Sequence, residues 1–331
     1  MMQAVKHPAI RFAAGIVISA AFILATLSRV DAGQVIRALQ EVRPAGLVVA
    51  LVLVWLEIGV RAVRWRALLA PIRRVPFTGC LAYLCIGYFA NTLLPGRLGD
   101  VARAYLAGTA FGIGRLVTFG TILIERFSDG ITILVIVVVS GLLVAAGDVL
   151  AASAFQLLVA GAAVAAIVAT AAVLAVRTGL TETRAGTAAQ KVIRPLLDGG
   201  AALRRPAGIA TLLGLTLLAF GLAVVAFDAT AAAVGLELTI VEAAFVMGAL
   251  ALSTAIPAGP GSVGTYEFVG VTVLVSLGFP AEPALASVLL VHLLAALPPA
   301  IAGLGALWAY HLRIGSLVRQ SAPKPLSDTA A

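Results

Sequence analysis

Long apolar runs constrain this chain more than any other feature. The stretch Ile131–Val139 carries no charge, and several other runs continue apolar for two dozen residues. A bilayer core offers no water to a backbone amide or carbonyl. Only helices and closed barrels can span it. The runs are continuous and rich in Ala and Leu rather than alternating, so helices are expected and a barrel is not. Charged residues make up 11% of the 331, against about 25% in a soluble domain. Mean hydropathy is +1.09.

Six runs read as full spans: 10–28, 45–60, 116–146, 150–176, 209–234 and 284–310. A hydrocarbon core is about 30 Å thick, so the second, which extends to Val63, is the shortest. The first run lacks a clear cleavage site and is kept as a span rather than a signal peptide. The whole chain, 1–331, reads as a single transmembrane domain. The largest polar region, 177–206, is too small for a catalytic domain. Cys80 and Cys85 lie in one apolar segment, poorly placed for a disulfide or metal, and are read as packing residues.

Between spans two and three, and again between five and six, lies a broken segment. The first, about 77–113, contains Asn91-Thr92-Leu93-Leu94-Pro95-Gly96-Arg97-Leu98-Gly99-Asp100. The second, about 243–278, contains Thr254-Ala255-Ile256-Pro257-Ala258-Gly259-Pro260-Gly261-Ser262-Val263-Gly264-Thr265-Tyr266-Glu267. Both run from Thr through two apolar residues to Pro, then a Gly-rich turn and an acid. Pro95 and Pro257 remove a donor, and Gly96, Gly99, Gly259, Gly261 and Gly264 permit tight turns. Paired interruptions of this kind point to the binding site of a transporter built from inverted repeats.

Charge sets the orientation. Arg61, Arg64, Arg66, Arg73 and Arg74 cluster after span two; six basic residues lie in 177–206; Arg313, Arg319 and Lys324 lie in the tail. All three regions are expected in the cytoplasm. The net charge of +8 therefore reflects membrane topology, not nucleic-acid binding. The acid-bearing connections around Asp148, Glu237 and Glu282 are expected outside, with 29–44 disagreeing mildly through Arg29, Arg37 and Arg43. Each broken segment then enters and leaves on one side. The fold expected is all-α and polytopic, with two inverted-topology repeats (10–146 and 150–310), six spans, two re-entrant hairpins and a cytoplasmic tail at 311–331. The alternative reads the four arms as ordinary short spans, ten in all.

Ionisable residues cluster around the first turn and in span three: Arg97, Asp100 and Arg103, then Glu125, Arg126 and Asp129. Such groups in a membrane are costly unless paired or wet. Two arginines near a helix start suit a phosphate. Glu125 and Asp129 need a cationic neighbour, and Arg97 or Arg103 are the natural ones. Two arrangements fit: a polar cavity wall, or a closed ion-pair network. Glu57 reads as the partner of Arg61 one turn on, Asp228 has no obvious mate, and His292 reads as a packing residue. Glu267, with Tyr266, would supply polar contacts or a proton-coupling carboxylate.

Taken in order, Arg61-Ala62-Val63-Arg64-Trp65-Arg66, Asn91–Asp100 with Arg103, Glu125-Arg126-Phe127-Ser128-Asp129 and Pro257–Glu267 resemble the transmembrane flippase domain of lysylphosphatidylglycerol synthetases. They resemble equally its stand-alone relatives, which include dolichol-linked glycosylation and hopanoid-associated proteins. Asp100 stands where that family more often has Glu. The resemblance implies a bacterial inner-membrane protein that moves a lipid between leaflets; from its residues the chain is expected not to be an enzyme and to need no cofactor or metal. Its substrate-contacting residues would be Asn91, Arg97, Asp100, Arg103, Glu125, Arg126, Asp129, Tyr266 and Glu267. The synthetases carry a soluble transferase domain after the membrane part. This chain ends about twenty residues beyond its last span, so it is expected not to make lysylphosphatidylglycerol itself. A partner enzyme that synthesises the lipid is a further expectation. A small-anion transporter and a non-transporting scaffold are the competing readings.

Overall fold

The computed structural model describes residues 6–93, 98–144, 184–256 and 259–310. Span four, the tail, Pro95, Gly96, Arg97 and Pro257 lie outside these residues. The described chain forms eleven α-helices and no strand: α1 Lys6–Leu27, α2 Ala32–Gln40, α3 Pro44–Leu69, α4 Phe77–Leu93, α5 Leu98–Phe111, α6 Arg115–Val144, α7 Arg184–Asp198, α8 Pro206–Ala233, α9 Ile240–Ser253, α10 Thr265–Ser276 and α11 Ala281–Ala309.

Four helices, α3, α6, α8 and α11, are long and apolar enough to cross a membrane. They match spans two, three, five and six. The sequence reading ends span two near Val63; the helix runs on to Leu69. The mildly discordant 29–44 stretch contains a helix of its own. Asp31 caps α2 by accepting from the Gln34 amide (3.0 Å), and α2 lies at 84° to α1. Pro44 and Pro206 occupy the first turns of α3 and α8, where a missing N–H costs nothing. Thr239 and Glu242 close a reciprocal capping box on α9.

The arms of the two broken segments are shorter. Helix α4 has 17 residues and α9 has 14, or about 25 Å and 21 Å at the helical rise. Arms α4 and α5 pack on each other, as do α9 and α10. The outer ends of α4 and α5 meet beside Arg73: a methyl at Gly112 would sit 2.6 Å from its Nη1. That end of the bundle also holds Arg66, Arg205 and the turn 199–204, through contacts among Leu68, Ala202 and Leu212. The opposite end joins the starts of α2, α3 and α11. There the Asp31 amide donates to Glu282 (3.3 Å), and the Arg43 amide donates to the Ala233 carbonyl at the end of α8 (2.9 Å).

Lipid tails are as apolar as the helices, so close packing through small residues drives association here. Helices α3 and α8 form the central antiparallel pair, with Gly46 against Ala233. Around it the two broken segments exchange partners. Helix α4 packs on α11, where a methyl at Gly303 would lie 2.2 Å from the Cys85 carbonyl oxygen. Helix α9 packs on α6, where a methyl at Gly248 would lie 2.5 Å from Val137 Cγ2. Cys80 and Cys85 are buried free thiols in the core of this packing.

Candidate functional site

Three helices bring eight charges together beside the first broken segment. Helix α3 presents Glu57, Arg61 and Arg64 at i, i+4 and i+7, one helical face. Helix α6 presents Glu125, Arg126 and Asp129, and α5 presents Asp100 and Arg103. Helix α8 adds the hydroxyl of Thr216. Arg61 Nε donates to Glu57 (2.6 Å) and Arg61 Nη1 to Asp129 (3.3 Å). Arg64 Nη1 donates to Asp129 (2.5 Å) and Thr216 (2.9 Å), and its Nε to Glu125 (3.4 Å). Arg126 pairs with Asp100 (3.0 Å) and Asp129 (3.4 Å). Four arginines thus face four carboxylates. The balance explains how Arg64 (2% exposed), Glu125 (1%) and Asp129 (5%) sit in an apolar bundle.

Arg103 stands apart from this pattern. It is 1% exposed. Its Nη2 lies 3.0 Å from Glu125 Oε2, and its guanidinium lies 3.7 Å over the Trp65 ring. Yet none of its three guanidinium nitrogens makes a hydrogen bond, and Glu125 Oε2 accepts none. Trp65 is itself held by its indole N–H donating to Thr121 (3.0 Å). Cation–π contact satisfies the face of the guanidinium but not its in-plane donors.

Asn91 and Gly99 close the hairpin above this cluster. The Asn91 carbonyl oxygen accepts from the Gly99 amide (2.8 Å). A methyl on Gly99 would lie 2.1 Å from the Gly87 carbonyl oxygen, so only glycine lets the arms approach.

The second broken segment turns through the 3-10 residues Pro260–Ser262, with positive φ at Gly261 (68°) and Gly264 (92°). Helix α1 supports the turn. Ser19 Oγ accepts from the Gly259 amide (2.9 Å), and Phe22 stacks near Phe268 (4.8 Å). Glu267 Oε2 accepts from the Gly264 amide (2.6 Å), and Glu267 Oε1 meets His292 Nδ1 on α11 (2.5 Å). His292 Nε2 donates to the Gly261 carbonyl (2.9 Å), and the Tyr266 ring lies 4.3 Å from the imidazole. Helix α4 touches the 260–262 turn, and Tyr266 lies within electrostatic reach of Glu57. The turn of the second segment therefore packs against the first arm of the first.

One correspondence unites them. Asp100 is the third residue of α5 and Glu267 the third of α10. Arg126 is the twelfth residue of α6 (from 115) and His292 the twelfth of α11 (from 281). In each case the acid at the start of the second arm is latched to a nitrogen base at the same register of the following helix.

Some sequence expectations need correcting. Arg61 and Arg64, counted with the basic stretch that starts at the end of span two, both lie on α3 inside the bundle, paired with carboxylates of α6. Among the described residues the partner of Asp100 is Arg126. The cationic neighbours of Glu125 and Asp129 include Arg103 as expected, but Arg64 touches both. Glu57 does pair with Arg61. His292 is the partner of Glu267 rather than a packing residue. Asp228 makes no ion pair among the described residues. No group of three His, Cys, Asp or Glu side chains in the described residues is placed to hold a metal.

A cavity of about 190 Å³ opens between α3, the 199–204 turn and α8, lined by Arg64, Leu68, Arg205, Thr211 and Leu212. It reaches the network from the arginine-rich end, with Arg64 as its inner wall.

The lysylphosphatidylglycerol synthase transmembrane-region model matches residues 12–303. The chain belongs to that family. Membership makes it a polytopic membrane protein of a lipid-related family, and the match takes in both broken segments and the whole charge network. No curated protein matches the chain.

Proposed function

We propose that this family member moves an anionic lipid between the leaflets of a bacterial inner membrane, as a transporter and not an enzyme. The lipid headgroup is that of a phospholipid or of an isoprenoid- or hopanoid-type lipid, and its chains stay in the bilayer. An enzyme that makes the lipid is its natural partner. The observation that carries this reading is Arg103. A buried guanidinium whose in-plane N–H groups make no hydrogen bond, only an ion pair with Glu125, is set to donate to phosphate oxygens. The phosphate would take Glu125 Oε2's place beside Arg103. Arg97, two residues before Gly99 in sequence and outside the described residues, would supply the cation that balances the added charge.

The architecture supports alternating access. Each hairpin joins two short arms at an interruption; each first arm packs on the other half's last helix; each second arm is latched at the same register. These features support two inverted repeats with two re-entrant hairpins that rock against each other. The arginine-rich end would face the cytoplasm, along with both termini.

Lipid retention tests the assignment. Wild-type protein purified in mild detergent and exposed to equal phosphatidylglycerol and phosphatidylethanolamine should retain the anionic lipid preferentially, as read by native mass spectrometry. Arg103→Ala should weaken that preference about tenfold, the worth of one charge-assisted contact. Equal preference in both proteins would remove Arg103 from the headgroup site.

A further inference from the structure

The two latches occupy equivalent positions but differ in chemistry, and we infer that the Glu267–His292 pair is the site of a coupling proton. This deepens the transport reading and rests on it for its consequence, though not for its existence.

The geometry counts the protons. The Gly261 carbonyl can only accept, so His292 Nε2 carries a hydrogen. Nδ1 and Glu267 Oε1 are 2.5 Å apart. Two bare lone pairs do not meet at that distance, so one further proton lies between them. The pair is then imidazolium with carboxylate, or imidazole with carboxylic acid, and is neutral overall either way. The other carboxylate oxygen is already engaged by the Gly264 amide, which ties the same pair to the turn.

Loss of that single proton to water leaves a carboxylate facing the Nδ1 lone pair. The pair becomes negative and the contact repels. The bond that joins Glu267, and through it the Gly264 amide, to α11 is lost in the same step, while His292 Nε2 keeps its bond to the Gly261 carbonyl. The Asp100–Arg126 latch has no such step, since a guanidinium does not give up its proton. One hairpin is therefore proton-sensitive and the other is not. A transporter with this asymmetry converts a proton gradient into a bias between its two states.

The surrounding charges leave the pair as the responsive element. Among described residues, α10 contributes Glu267 and Tyr266, the latter against the imidazole. Helix α3 contributes Glu57, which is held by Arg61. The other ionisable side chains on helices packed against α11 are Arg61, Arg64 and Arg66 on α3, Cys80, Tyr83, Cys85 and Tyr88 on α4, Asp228 on α8 and Arg37 on α2. None of these has a hydrogen bond or ion pair to Glu267 or His292.

The test has two arms. In full-length protein carrying His7→Gln and His311→Gln, in nanodiscs, His292 is the one remaining histidine. Nitrogen NMR from about pH 5 to 9, the range in which histidine ordinarily titrates, should show Nε2 protonated throughout and Nδ1 losing one proton. Glu267→Gln should move the midpoint. A non-titrating Nδ1, or a midpoint unmoved by Glu267→Gln, overturns the proton site. In vesicles of phosphatidylethanolamine and phosphatidylglycerol, fluorescent phosphatidylglycerol should cross several-fold faster under one sign of pH gradient than the other. In His292→Arg that ratio should fall to one. Wild-type flipping that is equal under both signs overturns the coupling while leaving lipid movement standing.

Discussion

Asp129→Ala is expected to destabilise the protein by about 3–5 kcal/mol, the cost of orphaning buried charge. Asp129 is the one carboxylate shared by three arginines: Arg61, Arg64 and Arg126. Its loss leaves four arginines, Arg103 among them, facing Glu57, Glu125 and Asp100, an excess of one positive charge in an apolar bundle. Asp129→Asn should cost nearly as much, because it keeps shape but not charge. The measurement is thermal or SDS unfolding of purified protein. Arg64→Leu combined with Asp129→Leu should be less harmful than the sum of the two single changes, with coupling of at least about 1 kcal/mol. A single Asp129 variant as stable as wild type would show that the network is wetter and looser than these distances imply.

Gly99→Ala is the second large effect, and its origin is steric. One methyl group would be driven to 2.1 Å from the Gly87 carbonyl oxygen and 2.5 Å from Asn91 Oδ1. Both are parts of the opposing arm near the hairpin tip, so the arms must separate. Separation breaks the Asn91–Gly99 hydrogen bond and displaces Asp100 from Arg126 and Arg103 from Glu125. Overpacking of this kind costs about 1–3 kcal/mol. Lost register should abolish anionic-lipid preference as well. Gly130→Ala on α6 is the matched control: it lies beside Asp129, and its new methyl meets nothing within 4 Å. If both variants retain wild-type stability and lipid preference, the tight closure of the first hairpin is not what positions the site.

Much of this was legible in the sequence because bilayers punish exceptions. Four of the six predicted spans appear as long helices, and both broken segments fall where Pro and Gly place them. Asp100, Arg103, Glu125, Asp129 and Glu267 were marked out by their presence in apolar surroundings. What sequence could not show was pairing across distance. Arg61 and Arg64 read as part of a basic stretch because loop counting tallies charges without partners. Their carboxylates lie more than sixty residues away on α6. The signal that marks them is the i, i+4, i+7 spacing of Glu57, Arg61 and Arg64. His292 was passed over for the same reason. A lone histidine on a helix reveals nothing until the Gly261 carbonyl and Glu267 are brought to opposite sides of its ring.

Lipid movement itself is the most direct measure of the central claim. Purified protein should be reconstituted into vesicles bearing fluorescent phosphatidylglycerol, with an impermeant quencher added outside. Movement between leaflets predicts quenching that proceeds beyond the outer-leaflet share in wild-type vesicles and stops at that share in Arg103→Ala vesicles. Quenching that stops there for wild type as well, in vesicles shown to contain folded protein, would contradict the account.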